Sequence, residues 1–161
     1  MHTLNEIISP FEAERLQVLR KYEILDTPPD VALDGLTKLA SRLFQVPIAL
    51  VSLVDKERIW FKSRYGMEEQ EIMKDPGFCA TAILGNELYL VEDALTDPVA
   101  MANPLVTGEH GIRFYAGVPL RTKEGFNLGT FCIMDQRLRE FSAENREVLQ
   151  ILAELVLDQL E

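Results

Sequence analysis

The sequence predicts one α+β domain organised around a mainly antiparallel sheet. Apolar residues recur at helical spacing in two segments near the amino end and in one that closes the chain, while the middle alternates or runs apolar in the manner of strands. Short polar turns join successive strands, and turns of that length admit only an antiparallel return.

The first helix is predicted over 9–25. Ser9-Pro10-Phe11-Glu12 supplies a cap residue, Pro at the first helical position and Glu three residues after the cap. Phe11, Val18, Leu19, Tyr22 and Leu25 share one side of it, and Asp26-Thr27-Pro28-Pro29 stops it. A second helix starts near Asp30, with Leu33, Leu36, Leu39, Ala40, Leu43 and Phe44 as its apolar stripe. Gln45-Val46-Pro47 ends it. Ile48–Val54 is apolar almost throughout, the pattern of a strand covered on both faces. After Asp55-Lys56-Glu57, Arg58–Tyr65 reads as its return, with Ile59, Phe61 and Tyr65 on one face and Arg58, Trp60, Lys62 and Arg64 on the other. That second face is either solvated, with Trp60 partly covered, or a basic-aromatic docking surface.

Residues 66–77 are polar and irregular. Phe78–Leu84 reads as a short helix stopped by Gly85-Asn86, and Leu88–Val91 as a short strand. A long loop covers Asp93–Gly111, with one helical turn after Asp97-Pro98; such loops in a small domain are usually functional or disordered. Phe114–Leu120 and Leu128–Met134 flank Thr122-Lys123-Glu124-Gly125, a hairpin signal. Ser142 caps the closing helix, predicted over 143–160. No repeat, low-complexity tract or linker interrupts this order, so residues 3–161 are read as a single domain.

The bulk properties narrow the function. At 161 residues with 47% apolar and 26% charged side chains, the chain can bury one core and is not of the disordered class. A formal charge of −10 repels phosphate backbones and anionic lipid, which excludes nucleic-acid and membrane-surface binding. No apolar run approaches the ~20 residues that span a bilayer, and the MHTLNEIISP start is not secretory, so a cytoplasmic location is expected. Cys79 and Cys132 are too few for a disulfide framework and are expected as free thiols. His2 and His110 lie far apart and near no cysteine pair, so neither a metal nor a cofactor is predicted. The final Leu160-Glu161 is either native or a cloning scar; in the second case the chain is one domain of a larger protein.

Cys79 falls in the first turn of the short helix, where the helix dipole lowers a thiol pKa and favours a redox or ligand-attachment role. The commoner role of such a cysteine is a small buried filler. Cys132 alternates with Thr130 and Met134 in an apolar strand and is read as core. Asp93, Asp97, Glu109 and His110 are either an acid–base set or solvated loop polars and helix caps, the second being the more frequent case. The sequence holds no Gly-rich phosphate loop, no Gly-x-Ser-x-Gly and no zinc-protease His-Glu pair.

Several phrases occur together and in order. They are Arg15-Leu16 through Ile24-Leu25-Asp26-Thr27-Pro28-Pro29, the run from Pro47 to Asp55, Trp60-Phe61-Lys62-Ser63 and Phe78-Cys79-Ala80. Asn103-Pro104-Leu105-Val106, Ile112 to Leu120, Leu128-Gly129-Thr130 and Phe141-Ser142 complete the set. Across nearly its whole length the chain thereby resembles the GAF family, in the bacterial signalling branch. The resemblance implies a central antiparallel sheet of about five to six strands, terminal helices on one face, and a short helix and long loop over a pocket on the other. It also implies sensory input to a histidine kinase or diguanylate cyclase.

Within that fold Phe78, Cys79, Ile83, Asn103, Arg113, Phe114, Tyr115 and Phe131 are the expected pocket residues, around an unknown small ligand. Arg113, or backbone N–H groups near Phe78 and Cys79, are expected to hold an anionic end. The alternative is that these aromatics fill core. Family members that attach bilins use a cysteine commonly followed by histidine, and here Ala80 follows Cys79. Free methionine-R-sulfoxide reductases of this family carry a catalytic cysteine in the long loop, and Asp93–Gly111 has none, so the chain is expected not to be an enzyme. In the closing helix Val148, Leu149, Ile151, Leu152, Leu155, Val156 and Leu160 cover more than the ~100° that one packing face needs. A homodimer through Val148, Ile151 and Leu155 is therefore expected, the alternative being that this edge lies under the first helix of the same chain. A dimerisation module with a filled pocket is the third reading.

Overall fold

A computed structural model describes residues 9–75 and 77–161; the predicted domain start at residues 3–8 lies outside the described residues. Ser9 accepts a hydrogen bond from the Glu12 amide at 3.1 Å, and the first helix, α1, runs Pro10–Lys21. It is shorter than the predicted 9–25 because Glu23 and Asp26 adopt left-handed backbone (φ 53° and 61°), which no helix interior accommodates. This turn still delivers Ile24 to the core. Helix α2, Val31–Phe44, is capped by Asp30, whose carboxylate accepts from the Leu33 amide at 3.0 Å. Its predicted stripe is wider than the face it buries. Leu33, Ala40 and Phe44 are inside, while Leu39 and Leu43 remain 44% and 52% exposed.

Six strands form one antiparallel sheet: β1 (Ile48–Val54), β2 (Arg58–Tyr65), β3 (Glu71–Met73), β4 (Tyr89–Val91), β5 (Phe114–Arg121) and β6 (Asn127–Asp135). Their order is β3-β2-β1-β6-β5-β4. The three-residue β3, within the segment read as irregular, is an edge strand defined by pairing with β2 and carries no apolar alternation to reveal it.

Both faces of the sheet are covered. Ala49, Val51, Phe114, Ala116, Phe131 and Ile133 pack against α2 and the closing helix α5, Ala143–Leu160, while Leu53, Trp60 and Leu128 pack against Leu16 and Leu19 of α1. On the opposite face Ile48, Leu50, Tyr115, Cys132 and Met134 meet the short helix α3 (Phe78–Ala82), the turn α4 (Pro104–Thr107) and the connections around them. This layout is the predicted one.

The predicted face assignment of β2 fails past Phe61. The register with β1 slips there, Ser52 facing Phe61 while Val51 faces Ser63. This bulge at Lys62 inverts the alternation. Ser63 therefore turns to the helices, where its hydroxyl bonds Thr37 at 2.9 Å and Asp34 at 2.6 Å, and Arg64 reaches the Met67 and Glu68 carbonyls instead. Trp60 is buried against α1 rather than displayed for docking. In α5, Leu149, Leu152 and Val156 are buried and Val148 packs at their margin. Ile151 and Leu155 stay 49% and 48% exposed, so they do not lie under α1. Among the described residues, no helix is long and apolar enough to cross a membrane.

Candidate functional site

Between α3 and the long loop lies a cavity of about 370 Å³, lined by Asp75, Gly77, Phe78, Thr81, Tyr89, Val99, Ala100 and Asn103. Asp75 and Val99 stand exposed at its mouth, and Phe78, Ala100 and Asn103 are buried at its floor. Asn103 belongs to the site because of a local need. Its Oδ1 caps α4 by accepting from the Leu105 amide at 2.9 Å, which leaves Nδ2 as a buried donor with no partner among the described residues. A buried donor of this kind on a residue that lines a cavity is one that a bound acceptor would satisfy. Tyr89 closes one side; burial, and then the Asp97 carboxylate, raise its pKa, so it stays a protonated phenol.

Beneath the floor, Phe78 stacks on Tyr115 with ring centroids 4.7 Å apart and planes 11° apart. The Tyr115 ring lies back over Gly117, where a Cβ would fall 2.3 Å from the phenol oxygen; only glycine leaves it that room. The phenol reaches Cys79 Sγ at 3.4 Å, and the Thr130 hydroxyl reaches the same sulfur at 3.4 Å. Ser52 bonds Thr130 Oγ1 at 2.8 Å across the β1–β6 pair. Cys79 and Cys132 are both free and buried. The neighbouring Cys132 most strongly draws the Cys79 thiol below its ordinary value; burial opposes this, and Ser52, Thr130 and Tyr115 reinforce it. Burial and then Cys79 itself push Cys132 well above its ordinary value. The helix dipole expected from the sequence acts here over only the five residues of α3, and the Tyr115 and Thr130 hydroxyls of the sheet also reach the sulfur.

The structure divides the predicted pocket residues. Phe78 and Asn103 line the cavity, and Cys79 and Tyr115 form the layer directly below. Phe114 and Phe131 do not belong to it. Each neighbours a pocket-side residue, Tyr115 and Cys132, and so points to the opposite face, into the α2–α5 core. Ile83 packs beyond α3, its carbonyl accepting from Asn127 Nδ2 at 3.0 Å. Arg113 donates to the Val106 and Ile112 carbonyls, each at 3.0 Å, and braces α4 rather than an anion. Two of the loop acids are caps: Asp93 holds the Leu95 amide and Asp97 the amides of Val99 and Ala100, while His110 pairs with Glu69 at 2.6 Å.

Sequence reasoning missed Asp75, Thr81 and Tyr89 in the cavity, and Ser52 and Thr130 below it. The alternation of Ser52 within an otherwise apolar β1 was the available signal. It also missed Arg15, which is fully buried and bridges α1 to the sheet by donating to Asn127 O at 3.2 Å and Val54 O at 2.7 Å.

The helix-flanked sheet with its covered cavity accords with the sequence comparison, in which residues 28–159 match the GAF domain family. The chain belongs to the GAF domain family. A cyclic di-GMP phosphodiesterase of Pseudomonas aeruginosa is 40% identical to this GAF domain over 148 residues, which cover 91% of the chain and 25% of the relative. The chain thus spans a quarter of the length of the curated relative it matches. Among solved structures, the GAF domain of an Acinetobacter phosphoenolpyruvate-protein phosphotransferase superposes with a TM-score of 0.69 at 16% identity, covering 95% of this chain and 94% of that one. A type II free methionine-R-sulfoxide reductase of Thermoplasma acidophilum superposes with a TM-score of 0.67 at 16% identity, covering 88% and 94%. At such identity these two establish the fold alone.

Proposed function

We propose that this GAF domain is a cytoplasmic sensory module that takes a small molecule in the cavity between α3 and the long loop. In this reading it passes occupancy through its terminal helices to a signalling output such as a histidine kinase or diguanylate cyclase. Asn103 Nδ2, unpartnered among the described residues and beside a cavity of about 370 Å³, carries the reading, since that volume suits a metabolite and the donor can take an acceptor. Asp75 at the mouth and the committed Arg113 disfavour the anion expected from the sequence. The ligand in this reading is neutral or cationic, with an acceptor oxygen or nitrogen for Asn103 and a flat or apolar part beside Phe78 and Tyr89.

The route to the helices is supported by one connected set of polar contacts. Asn127 Nδ2 holds the Ile83 and Gly85 carbonyls behind α3, Arg15 bonds the Asn127 carbonyl, Glu12 pairs with Arg15, and Lys74, next to Asp75 at the cavity mouth, bonds Glu12 at 3.4 Å. The phosphodiesterase relative supports a signalling context, because this chain matches one quarter of a longer enzyme. The reductase reading is less favoured: both thiols lie under α3 and the long loop has none.

A thermal-shift screen of neutral and cationic metabolites tests the sensor. A ligand at a hundredfold excess over Kd stabilises the fold by about 2.7 kcal/mol, a rise of several degrees for a domain of this size. Tyr89→Ala and Asn103→Leu should each abolish the rise while the apo protein stays folded. A hit that survives both substitutions sinks this site assignment.

The exposed Leu39 and Leu43 of α2 and Ile151 and Leu155 of the adjacent α5 support self-association of the helical face. Light scattering should show a dimer that Leu155→Glu converts to monomer. A monomer for the unmodified protein at high concentration refutes the pairing.

A further inference from the structure

The cluster beneath α3 is more than filled core. Ser52, Tyr115 and Thr130 are all fully buried, on the sheet face that otherwise presents Ile48, Leu50 and Met134. Burying three hydroxyl groups there is unfavourable unless each finds a partner. The Thr130 amide donates to Ser52 Oγ at 3.2 Å, the Ser52 and Thr130 hydroxyls bond each other at 2.8 Å with either as donor, and Thr130 Oγ1 lies within donating distance of Cys79 Sγ at 3.4 Å. The Tyr115 phenol, held protonated chiefly by burial, is a further donor 3.4 Å from both the same sulfur and Thr130 Oγ1. A neutral thiol is a weak acceptor, whereas a thiolate accepts several donors well. Cys132, on β6, is flanked by the two groups that reach Cys79 Sγ: Thr130 is two residues before it on the strand, and the Tyr115 phenol lies over Gly117, which faces Cys132 across the β5–β6 ladder.

We propose that Cys79 and Cys132 form a peroxide-reactive thiol pair, in which Cys79 is oxidised first and Cys132 then closes a disulfide that ties α3 to β6. The oxidant is hydrogen peroxide or a comparably small hydroperoxide. Cys79 thiolate attacks one peroxide oxygen, an S–O bond forms as the O–O bond breaks, and the departing hydroxide takes up a proton as water. The resulting sulfenic acid carries no charge, which removes the Cys79 charge that raises Cys132. Cys132 sulfur then attacks Cys79 sulfur; the S–S bond forms, the S–O bond breaks, and the hydroxide leaves with the Cys132 proton. Two thiols and one peroxide yield one disulfide and two waters, the sulfurs losing two electrons and the peroxide gaining them. The route in is short: Phe78, beside Cys79, is a cavity wall, and a five-residue helix opens far more readily than the sheet. This inference does not depend on a ligand in the cavity.

Folded protein treated with hydrogen peroxide, then denatured and alkylated, is expected to lose both free thiols in an intramolecular disulfide that dithiothreitol restores. Cys132→Ser should stop at Cys79 sulfenic acid, captured by dimedone, and Cys79→Ser should leave Cys132 alkylatable at the same dose. Tyr115→Phe removes one donor without opening space and should slow Cys79 oxidation roughly tenfold on the acid side of its pH profile, about one unit of thiol pKa. Retention of both thiols at millimolar peroxide in protein shown to be folded would overturn the pair. So would equal oxidation of the two single cysteine variants, or a disulfide found between chains.

Discussion

Gly129→Ala is expected to prevent the domain from folding stably. A Cβ at Gly129 would fall 1.8 Å from the Ser52 carbonyl oxygen and 2.8 Å from Leu53 Cα. Both atoms are backbone of β1, which pairs with β6 at the centre of the sheet, Leu53 opposite Gly129. A flexible side-chain end could swing aside; a central strand cannot move without breaking its ladders on either side. Losses above ~4 kcal/mol are reserved for such structural conflicts, and domains of this kind hold only about 5–15 kcal/mol in total. Urea unfolding measures it, and a loss below about 1 kcal/mol would show that the strands separate more easily than this geometry allows. Gly35→Ala serves as the control. Its Cβ meets nothing within 4 Å on exposed α2, so a gain of about 0.5–1 kcal/mol is expected there.

The second large effect lies at Glu12. Arg15 is 2% exposed, and its guanidinium donates to Glu12 at 2.7 and 2.9 Å as well as to the Asn127 and Val54 carbonyls. Glu12→Ala strands a buried cation and should cost about 3–5 kcal/mol, whereas Arg15→Met, which removes the charge and keeps the volume, should cost less. The double variant should be milder than Glu12→Ala alone. If Glu12→Ala proves the more tolerated single change, Arg15 is hydrated rather than ion-paired. The pair also sets an acid limit. Burial alone raises the Glu12 carboxyl, but Arg15 and then Lys74 outweigh it and hold it below its ordinary range. A depressed folded-state pKa stabilises the protein above the unfolded value, and that contribution is lost as pH falls through the folded one. The unmodified protein should therefore lose stability across that acid window, and a Glu12→Gln variant should lose less there.

The elements and their layering follow from local features of the chain. Ser9, Asp30 and Ser142 cap the three long helices as their side chains require, and the apolar run Ile48–Val54 demanded cover on both faces. These are local properties: a cap acts within three residues, and a strand burial pattern needs no knowledge of its partner. Which groups share the site depends on strand pairing and on how the loops fold back. The bulge at Lys62 inverted the faces of β2 and sent Ser63 to the helices; this depends on the pairing register with β1, which no single strand records. Phe114 and Tyr115 look equally suited to a pocket, yet a single step along the strand places one in each core. Tyr89, Asn103 and Phe78 meet only because the long loop folds back over α3, and Ser52, Cys79, Tyr115, Thr130 and Cys132 converge from four separate elements. Arg15 shows the same limit from the other side: a charged residue in a surface-type helix reads as solvated until the carbonyls of Val54 and Asn127 arrive to bury it.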